Sequence, residues 1–501
     1  MLGAASSLSL PPMNYLIVNF ITFTLFFIFL IKKRNDLKNK NFFFLYGWLF
    51  GFGYFISSLY WISISLTFDE NFKFLIPLTI FLIPGFLALF YGLISYLFAI
   101  FKPKKIVSAF LVFSLIFGFL EFIRGSILSG FPWNLIVYSF SNQLEILSLL
   151  SIIGTYGLNL FSISLFTSPA IFFLKDSKKD LAVPIFFIIT AIIFYFYGSF
   201  YKEKFNNSIS QKYEYKVRVI GSKVSLSRFY SNSNPVLIIK DLIEISNPNP
   251  DEKTIFVWPE GILPGIYQKE LNDYSWLFKE NFSENHLLIM GINSQFIEND
   301  TKKYFNSLSI YDHELNLINY YNKINLVPFG EFLPFERILK NIGLKPLTNN
   351  YESFSKGKKR DIIELKRKNF SLKILPLICY EIIYSGKISN DHNFDLIVNI
   401  SEDGWFGNSV GPKQHFVHSV LRAIESGKYV VRSANNGMAA IINPIGMIEQ
   451  KVKFGQSGYV DFEESRKIQP TIFSKYGNKI FGLLILLYIF LIFSFNRNKN
   501  E

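Results

Sequence analysis

The sequence predicts an α/β domain inserted into a bundle of membrane-spanning helices. The chain of 501 residues is half hydrophobic, contains 57 Phe and has a mean hydropathy of +0.26, which is too apolar for a soluble protein of this size. Six apolar runs, each about long enough to cross a bilayer as a helix, fill the first 200 residues, and one more closes the chain. Between residues 215 and 466, short strand-like runs alternate with helix-like ones, which is typical of an α/β domain.

The apolar runs divide the chain into three segments. We predict a helix bundle over 1–205, an α/β domain over 206–470, and a final helix with a tail over 471–501. The opening "MLGAASSLSLPP" is interpreted as a shortened first helix, which gives about eight crossings in all. The long runs are Tyr15–Ile31, Phe42–Leu66, Phe74–Phe101, Ile106–Phe122, Leu158–Phe173, Val183–Phe200 and Ile480–Phe495.

Basic clusters beside these runs predict how the chain is oriented. The loops "KKRNDLKNK" (32–40), "KPKK" (102–105) and "KDSKK" (175–179) and the tail "RNKNE" are basic and therefore predicted to be cytoplasmic, whereas "TFDENF" is acidic and predicted to lie outside. The α/β domain then lies on the outer face, which is the periplasm of a Gram-negative cell. The net charge of +13 indicates basic loops on anionic lipid, because no nucleic-acid-binding motif accompanies it.

Cysteine and histidine usage limits the kinds of site that the chain can form. One cysteine excludes an internal disulfide and Cys-rich metal sites. His415 and His418 are spaced i, i+3, but no carboxylate stands at the spacing of a helical zinc motif. We therefore predict no metal and no cofactor, and interpret these histidines as solvated or core residues.

Three stretches of the α/β domain carry reactive side chains. They are "VWPEG" with Glu260, "NKINLVPFGEFLPF" with Lys323 and Glu331, and "LPLICYEIIY" with Cys379 and Glu381. Each group follows or ends a strand-like run, where α/β folds place their chemistry. A nearby ammonium favours the reactive thiolate of a cysteine, and a carboxylate can accept its proton.

Each of these residues also has an ordinary structural interpretation. Cys379 stands in an apolar, β-branched run that predicts a buried strand, and a lone cysteine there is more often an inert core thiol. Glu260 is compatible with a carboxylate placed at a helix N-terminus, and Lys323 with a surface charge. The residues lie far apart along the chain, so their spacing leaves these alternatives open.

Taken together, the three stretches resemble the nitrilase, or carbon–nitrogen hydrolase, superfamily, in which Glu, Lys and Cys occur in that chain order. Two further features are similar to the membrane branch of that superfamily, the apolipoprotein N-acyltransferase family: "EFIRGSILSGFPWN" at 121–134 and the long stretch from "NISEDGWFGNSVGPKQHF" to "RSANNGMAAIINPIG". The resemblance runs through nearly the whole chain. It implies a nitrilase-like αββα sandwich inserted in a bundle of about eight transmembrane helices.

The resemblance also implies roles for individual residues. Glu260 matches the general base, Lys323 the lysine beside the oxyanion, and Cys379 the nucleophile. Glu331 and Glu381 match supporting carboxylates. Tyr380, Trp405 and Asn435 fall in motif positions that line or brace the site, although simple packing explains them equally well.

The activity that this resemblance implies is acyl transfer in two steps through a Cys thioester. The donor is a phospholipid, typically phosphatidylethanolamine, and the acceptor is the α-amine of the S-diacylglyceryl cysteine of an apolipoprotein. The enzyme is expected to be a monomer in the inner membrane, with its catalytic domain in the periplasm. Two alternatives remain: a membrane-tethered amidase of the same fold that uses water as acceptor, and a non-catalytic relative.

The sequence departs from the family pattern in two stretches. In "VRVIGSKVSLSRFY", Gly221 and Lys223 replace the usual Gln and Asn, and Phe229 or Tyr230 stands in for a Trp. In "SEDGWFG", Glu402 belongs to a change from the commoner "SNDAWFG", and the sequence alone assigns it no role. The Phe-rich stretches "FGEFLPFERIL" and "DYSWLF" are hypothesised to be arms that dip into the bilayer.

Overall fold

The computed structural model describes residues 1–36, 40–231, 233–298, 300–341, 343–348, 352–368, 370–388 and 391–497. The chain forms two compact units. The first comprises Met1–Thr67, Asn71–Asn206 and Pro470–Glu501, and the second comprises Phe68–Glu70 and Asn207–Gln469.

The first unit is helical. Its helices are α1 (Leu2–Ser6), α2 (Ile17–Asp36), α3 (Asn41–Leu59), α4 (Ile76–Phe101), α5 (Ile106–Arg124), α6 (Leu144–Leu147), α7 (Leu150–Thr167), α8 (Ala170–Leu174), α9 (Ala182–Asn206), α14 (Ile472–Tyr476) and α15 (Lys479–Arg497). Within the described ranges, six helical segments are long and apolar enough to cross a bilayer: Asn41–Phe68, Glu70–Phe101, Ile106–Arg124, Leu150–Thr167, Lys178–Asn206 and Lys479–Asn496. The chain is therefore a multi-pass membrane protein, while the count of about eight crossings stays a prediction.

Small residues let two of these helices approach each other closely. A Cβ on Gly47 of α3 would lie 2.2 Å from the carbonyl oxygen of Tyr91 in α4, and one on Gly51 would lie 2.6 Å from the Tyr91 Cβ. Small residues at such contacts allow van der Waals packing between backbones, which is a main source of helix association in lipid. We therefore expect larger side chains at these two glycines to separate α3 from α4.

A buried ion pair holds the irregular segment that follows α5. Glu121 and Arg124 are 1% and 2% exposed and contact each other. Arg124 also donates to the carbonyl of Phe131 at 2.5 Å and to that of Trp133 at 3.0 Å. Non-helical backbone needs such partners where water is excluded. The charged pair of the "EFIRG" stretch thus holds the backbone of the loop that carries "GFPW" through hydrogen bonds from Arg124.

The second unit contains all the strands that the structure describes. They are β1 (Ser210–Ser222), β2 (Thr254–Val257), β3 (His286–Gly291), β4 (Ser294–Glu298), β5 (Thr301–Phe305), β6 (Ser307–Asp312), β7 (Leu317–Asn322), β8 (Ile363–Arg367), β9 (Phe370–Ile378), β10 (Leu396–Glu402), β11 (Tyr429–Asn435), β12 (Ala439–Ile442), β13 (Ile448–Val452) and β14 (Gly458–Arg466). Its helices are α10 (Pro235–Ser246), α11 (Ser275–Asn281), α12 (Glu336–Asn341) and α13 (Gly411–Ser426). Strands β4 and β5 form a separate hairpin.

The remaining 12 strands form two halves joined at β1 and β11. One half has the order β7-β6-β3-β2-β1-β14 and the other the order β13-β12-β11-β10-β9-β8. The halves meet where Gly221 and Ser222 of β1 pair with Ala434 and Asn435 of β11. Helices α10 and α11 pack their apolar faces on the first half, and α13 contacts β11 of the second half. The predicted nitrilase-like αββα sandwich is confirmed.

Parallel pairing gathers the ends of several strands at one edge of the sheet. Strands β2, β1, β11, β10 and β9 are parallel neighbours. Ligand and catalytic groups of α/β folds collect at the carboxyl ends of such strands. The residues that follow these ends are Glu260 after β2 and Cys379 after β9, while Glu402 and Asn435 close β10 and β11.

Candidate active site

Glu260 lies in a turn that leaves almost no space around it. Trp258, just before it, is fully buried, and its indole N–H donates to Ser246 Oγ at 2.9 Å. A Cβ at Gly291 of β3 would lie 2.5 Å from the Cα of Glu260, so glycine alone fits there. Gly261 adopts φ +59°, a conformation that glycine reaches at little cost. The "WPEG" turn thus points the carboxylate into the site, where Glu260 is 6% exposed.

Two carboxylates, one ammonium and one amide form a buried cluster. Lys323 Nζ lies 3.2 Å from Glu260 Oε1 and 2.9 Å from Glu331 Oε1. Asn306 Nδ2 donates to the same two oxygens, at 2.7 Å and 2.6 Å. The backbone N–H of Val327 donates to Glu331 Oε2 at 2.8 Å. Of the predicted residues, Lys323 therefore contacts both Glu260 and Glu331 directly.

The charges in this cluster depend on one another. Burial disfavours the Lys323 ammonium, but Glu260 and Glu331 outweigh that effect and hold the pKa of Lys323 well above its ordinary value. Burial raises the pKa of Glu331, and Lys323 opposes that rise. A cation between two buried carboxylates therefore keeps its proton, and its N–H groups are available as donors throughout a reaction.

Cys379 follows β9 instead of lying inside it, which corrects the expectation of a strand residue. It opens a short 3₁₀ turn, Cys379–Ile383, and has φ +48°, which is unusual for a residue with a side chain. Burial raises the pKa of its thiol, the charge of Glu260 adds to this and Lys323 opposes it, so that the pKa is well above its ordinary value. The thiol is therefore protonated at rest, and attack requires a base.

Glu381 ties the cysteine turn to the lysine loop. Its Oε2 accepts from the backbone N–H of Ile378 at 2.9 Å, and its Oε1 accepts from those of Ile324 and Asn325 at 2.9 Å and 3.1 Å. Arg360 NH2 lies 2.5 Å from the same Oε1. Burial works against the charge of Glu381, but Arg360 and these donors lower its pKa overall. A single buried carboxylate thus fixes Cys379 relative to Lys323.

We expect Arg360→Met to destabilise the fold, because it leaves Glu381 charged, fully buried and without its cation. Removing one partner of a buried ion pair typically costs about 3–5 kcal/mol of unfolding free energy. Urea denaturation of the detergent-solubilised protein measures the change. Lys359→Met is the matched control, since Lys359 is the exposed neighbour that pairs with Asp361. Equal stability of the two variants would contradict this role of Arg360.

A second buried network supports the carbonyl of Cys379. His415 Nε2 lies 3.3 Å from the Cys379 oxygen, and its Nδ1 lies 2.9 Å from Asp403 Oδ1. Arg432 NH2 lies 2.9 Å from both oxygens of Asp403. Burial lowers the pKa of His415, and the neighbouring Asp403 carboxylate partly offsets that effect. His415 and His418 are both buried, and no group of three metal-binding side chains occurs among the residues described.

The remaining predicted residues lie around this centre. Tyr380 is 8% exposed and packs edge-on against Tyr384 with ring centroids 5.6 Å apart. Trp405 contacts the Phe229 ring at 5.0 Å and the Tyr230 ring at 6.3 Å, so both stand-ins for the missing Trp lie against it. Asn435 is fully buried and bonds to Glu402.

Several functional contacts were not predicted from the sequence. Asn306 bridges both carboxylates, yet "YFNSLS" carries no signal for it. Arg360 lies in a Lys-rich stretch that is typical of an exposed loop. Asp403 and His415 occur in the stretch similar to the acyltransferase family, which is the one signal that could have identified them.

Comparisons with known proteins identify the family to which the chain belongs. Residues 2–168 match the family model "Apolipoprotein N-acyltransferase N-terminal domain", and residues 252–465 match "Carbon-nitrogen hydrolase". The apolipoprotein N-acyltransferase of Rhodopseudomonas palustris is 30% identical over 98% of this chain and 93% of its own length. Those of Rickettsia bellii and Rickettsia prowazekii are each 32% identical over 98% of this chain and 96% of their own lengths. The chain therefore belongs to the apolipoprotein N-acyltransferase family.

Proposed function

We propose that this protein transfers an acyl chain from a phospholipid to the N-terminal amine of diacylglyceryl apolipoproteins, with Cys379 as nucleophile, Glu260 as general base and Lys323 as oxyanion donor. The observation that carries this proposal is the contact of Lys323 with Glu260, together with the influence of both charges on the Cys379 thiol. All three groups belong to one chain, which supports action as a monomer.

In the first step, Glu260 takes the thiol proton and the Cys379 sulfur attacks the sn-1 ester carbonyl of the phospholipid. Lys323 and a backbone N–H stabilise the oxyanion of the tetrahedral species, where a single donor is typically worth about 2.7–4 kcal/mol. The C–O bond breaks as Glu260 returns the proton to the lysophospholipid oxygen. The acyl group is left as a thioester on Cys379.

In the second step, the α-amine of the diacylglyceryl cysteine attacks the thioester carbonyl. The C–N bond forms, Glu260 accepts a proton from the amine, and the C–S bond breaks. The sulfur recovers its proton from Glu260, so the enzyme returns to its starting state. Burial of the site keeps water from the thioester between the two steps.

The membrane supplies both substrates. We propose that the bundle over 1–205 and the helix within 471–501 tether the domain over 206–470 to the outer face of the inner membrane, in the periplasm. The alternation of basic and acidic loops supports this orientation. Phosphatidylethanolamine is the proposed donor, and both lipids then reach the domain by lateral diffusion.

Product analysis tests the proposed function. The purified full chain is incubated with phosphatidylethanolamine vesicles and a synthetic peptide that begins with S-diacylglyceryl cysteine. Mass spectrometry is expected to find one acyl group on Cys379 without the peptide, and on the peptide amine when it is present. Free fatty acid as the sole product would favour the amidase alternative, and no acyl product would end the proposal.

Exposed apolar side chains in the "FGEFLPFERIL" stretch are expected to contact the bilayer. Phe335 and Ile338 are 79% and 65% exposed. Serine at both positions should lower turnover of phospholipid in vesicles and leave alkylation of Cys379 by iodoacetamide unchanged, since burial of apolar area in lipid drives the contact. Leu237→Ser, at an exposed residue of α10, is the control. Unchanged turnover of the double variant would count against a bilayer contact.

The other hypothesised arm is only partly available for such a role. In "DYSWLF", Leu277 and Phe278 of α11 are buried in the hydrophobic core, whereas Trp276 is 49% exposed. Apolar side chains that are already packed against the sheet stabilise the fold, and their surface is not available to contact lipid. The expectation of an arm over this stretch was therefore wrong for its last two residues.

A further inference from the structure

Arg228 and Glu402 form a buried ion pair beside the proposed general base. Each side chain is 1% exposed, and the guanidinium contacts Glu402 Oε2. Both residues lie in the stretches where the sequence departs from the family pattern. Burying two charges carries a desolvation cost that replacement by apolar residues avoids, so a stabilising role alone is a weak explanation for this pair.

Hydrogen bonds connect the pair to one oxygen of the Glu260 carboxylate and to the backbone of the next residue. The backbone N–H of Glu402 donates to Glu260 Oε2 at 2.9 Å. Arg228 Nε donates to the carbonyl of Gly261, the residue after Glu260, at 3.1 Å. The other oxygen of Glu260, Oε1, faces Lys323. The pair thus holds the Oε2 side of the carboxylate, whereas Lys323 contacts the Oε1 side.

The side chain of Glu402 determines where its own N–H points. Its Oε1 accepts from the N–H of Gly404 at 2.8 Å, and its Oε2 accepts from Asn435 Nδ2 at 2.6 Å. Asn435 is itself fixed, because Ser222 Oγ and the N–H of Val224 donate to its Oδ1 at 2.6 Å and 2.8 Å. The turn that carries the donor to Glu260 is therefore anchored to the ends of β1 and β11.

We infer that Arg228 and Glu402 are positioning residues that hold the Glu260 carboxylate in the orientation needed to move protons between Cys379 and the substrates. The inference rests on the proposed function of Glu260. Misplacing a reacting group by about 1 Å can cost a factor of ~10² in rate. The pair acts through Glu260, so its loss should affect the chemical steps more than phospholipid binding.

A set of variants tests this inference. We compare Arg228→Gln, Glu402→Gln and the double variant, which keeps two neutral hydrogen-bonding side chains without a buried charge. The control replaces another Arg–carboxylate pair of this unit, in which Arg218 is buried and Asp461 is partly exposed, by Arg218→Gln with Asp461→Asn. In that pair Nε–Oδ1 is 2.8 Å and NH2–Oδ2 is 2.7 Å.

For acyl transfer from phosphatidylethanolamine vesicles to the peptide, both single variants are expected to lower kcat by roughly 10- to 100-fold with unchanged KM for phospholipid. The double variant should regain most of the lost kcat, and the control should keep the wild-type value. Alkylation of Cys379 by iodoacetamide, which needs deprotonation of the thiol but no lipid, should slow in the single variants and recover in the double variant.

Two results would overturn the inference. One is wild-type kcat and alkylation in both single variants. The other is a parallel fall of kcat and thermal midpoint in all variants, without recovery in the double variant, which would mark the pair as merely structural. Failure of the proposed function can be distinguished from failure of this inference. If the proposed function is wrong, the wild-type chain transfers no acyl group, but the alkylation rates of the variants still show whether the Arg228–Glu402 pair positions Glu260.

Discussion

Replacing Cys379 with Ala is expected to abolish acyl transfer, with a fall in rate of roughly 10⁴–10⁶-fold, as is typical when a nucleophile is removed. The chain contains one cysteine, so Cys379 is the one residue on which an acyl adduct can be a thioester. The variant should show no mass shift after incubation with phosphatidylethanolamine vesicles. Alanine removes the sulfur and little volume, so we expect the fold to persist.

Cys379→Ser is the companion to this variant. It places a hydroxyl where the thiol was, at the same strained position with φ +48°. It should have the same thermal midpoint as Cys379→Ala. A hydroxyl is a far weaker nucleophile near neutral pH, so its rate should also be close to background. Acyl transfer that survives in the folded Ala variant would remove Cys379 from the mechanism and with it the proposed route.

Lys323→Met is expected to have the second largest effect, on both rate and stability. The rate should fall by about 10²–10³-fold through loss of an oxyanion donor. Glu260 and Glu331 would then face each other through Asn306 without their cation. Two carboxylates that share a buried site do not both ionise readily, so one of them should retain a proton.

That retained proton gives the Lys323→Met variant a distinct pH dependence. An unfolded Glu releases its proton near pH 4.3, whereas the folded variant holds it to higher pH, so the folded state binds more protons. Stability should therefore fall as pH rises, by about 1.4 kcal/mol per unit between the two pKa values. In the wild-type chain, Lys323 opposes the rise in the pKa of Glu331, and its own raised pKa keeps it charged up to alkaline pH.

Thermal midpoints measured from pH 5 to pH 8 check this expectation. The difference between wild type and Lys323→Met should widen with pH. Lys340→Met is the matched control, since Lys340 pairs with Glu336 on the surface of α12. Parallel curves for wild type and Lys323→Met would show that the two buried carboxylates do not depend on the lysine.

Much of the architecture could be predicted because it is encoded locally. Runs of apolar residues predict membrane helices from length and composition alone, and the alternation of strand-like and helix-like runs predicts an α/β domain. The sandwich arrangement of that domain was implied by the resemblance to the nitrilase superfamily. The order of Glu260, Lys323 and Cys379 along the chain is likewise visible in short motifs. Such signals need no knowledge of which residues meet in space.

The contacts that give the site its chemistry could not be predicted in this way. Arg228 meets Glu402 across 174 positions, and Asn306 meets Glu260 across 46. Arg360 stands among lysines that indicate an exposed loop, yet it is almost completely buried against Glu381. Pairings at such separations depend on strand order and register, which composition and periodicity leave undetermined.

The sequence by itself determined that the chain is a multi-pass membrane protein, the class of the inserted domain and the reactive residue types. The tertiary structure decided that Cys379 leaves its strand at a positive φ, that its thiol is protonated at rest, and that the anchored backbone N–H of Glu402 donates to the Glu260 carboxylate. The physical reason is that hydrophobicity acts along the chain over a few residues. By contrast, the charge state and orientation of a buried group depend on every neighbour that folding brings within a few ångströms.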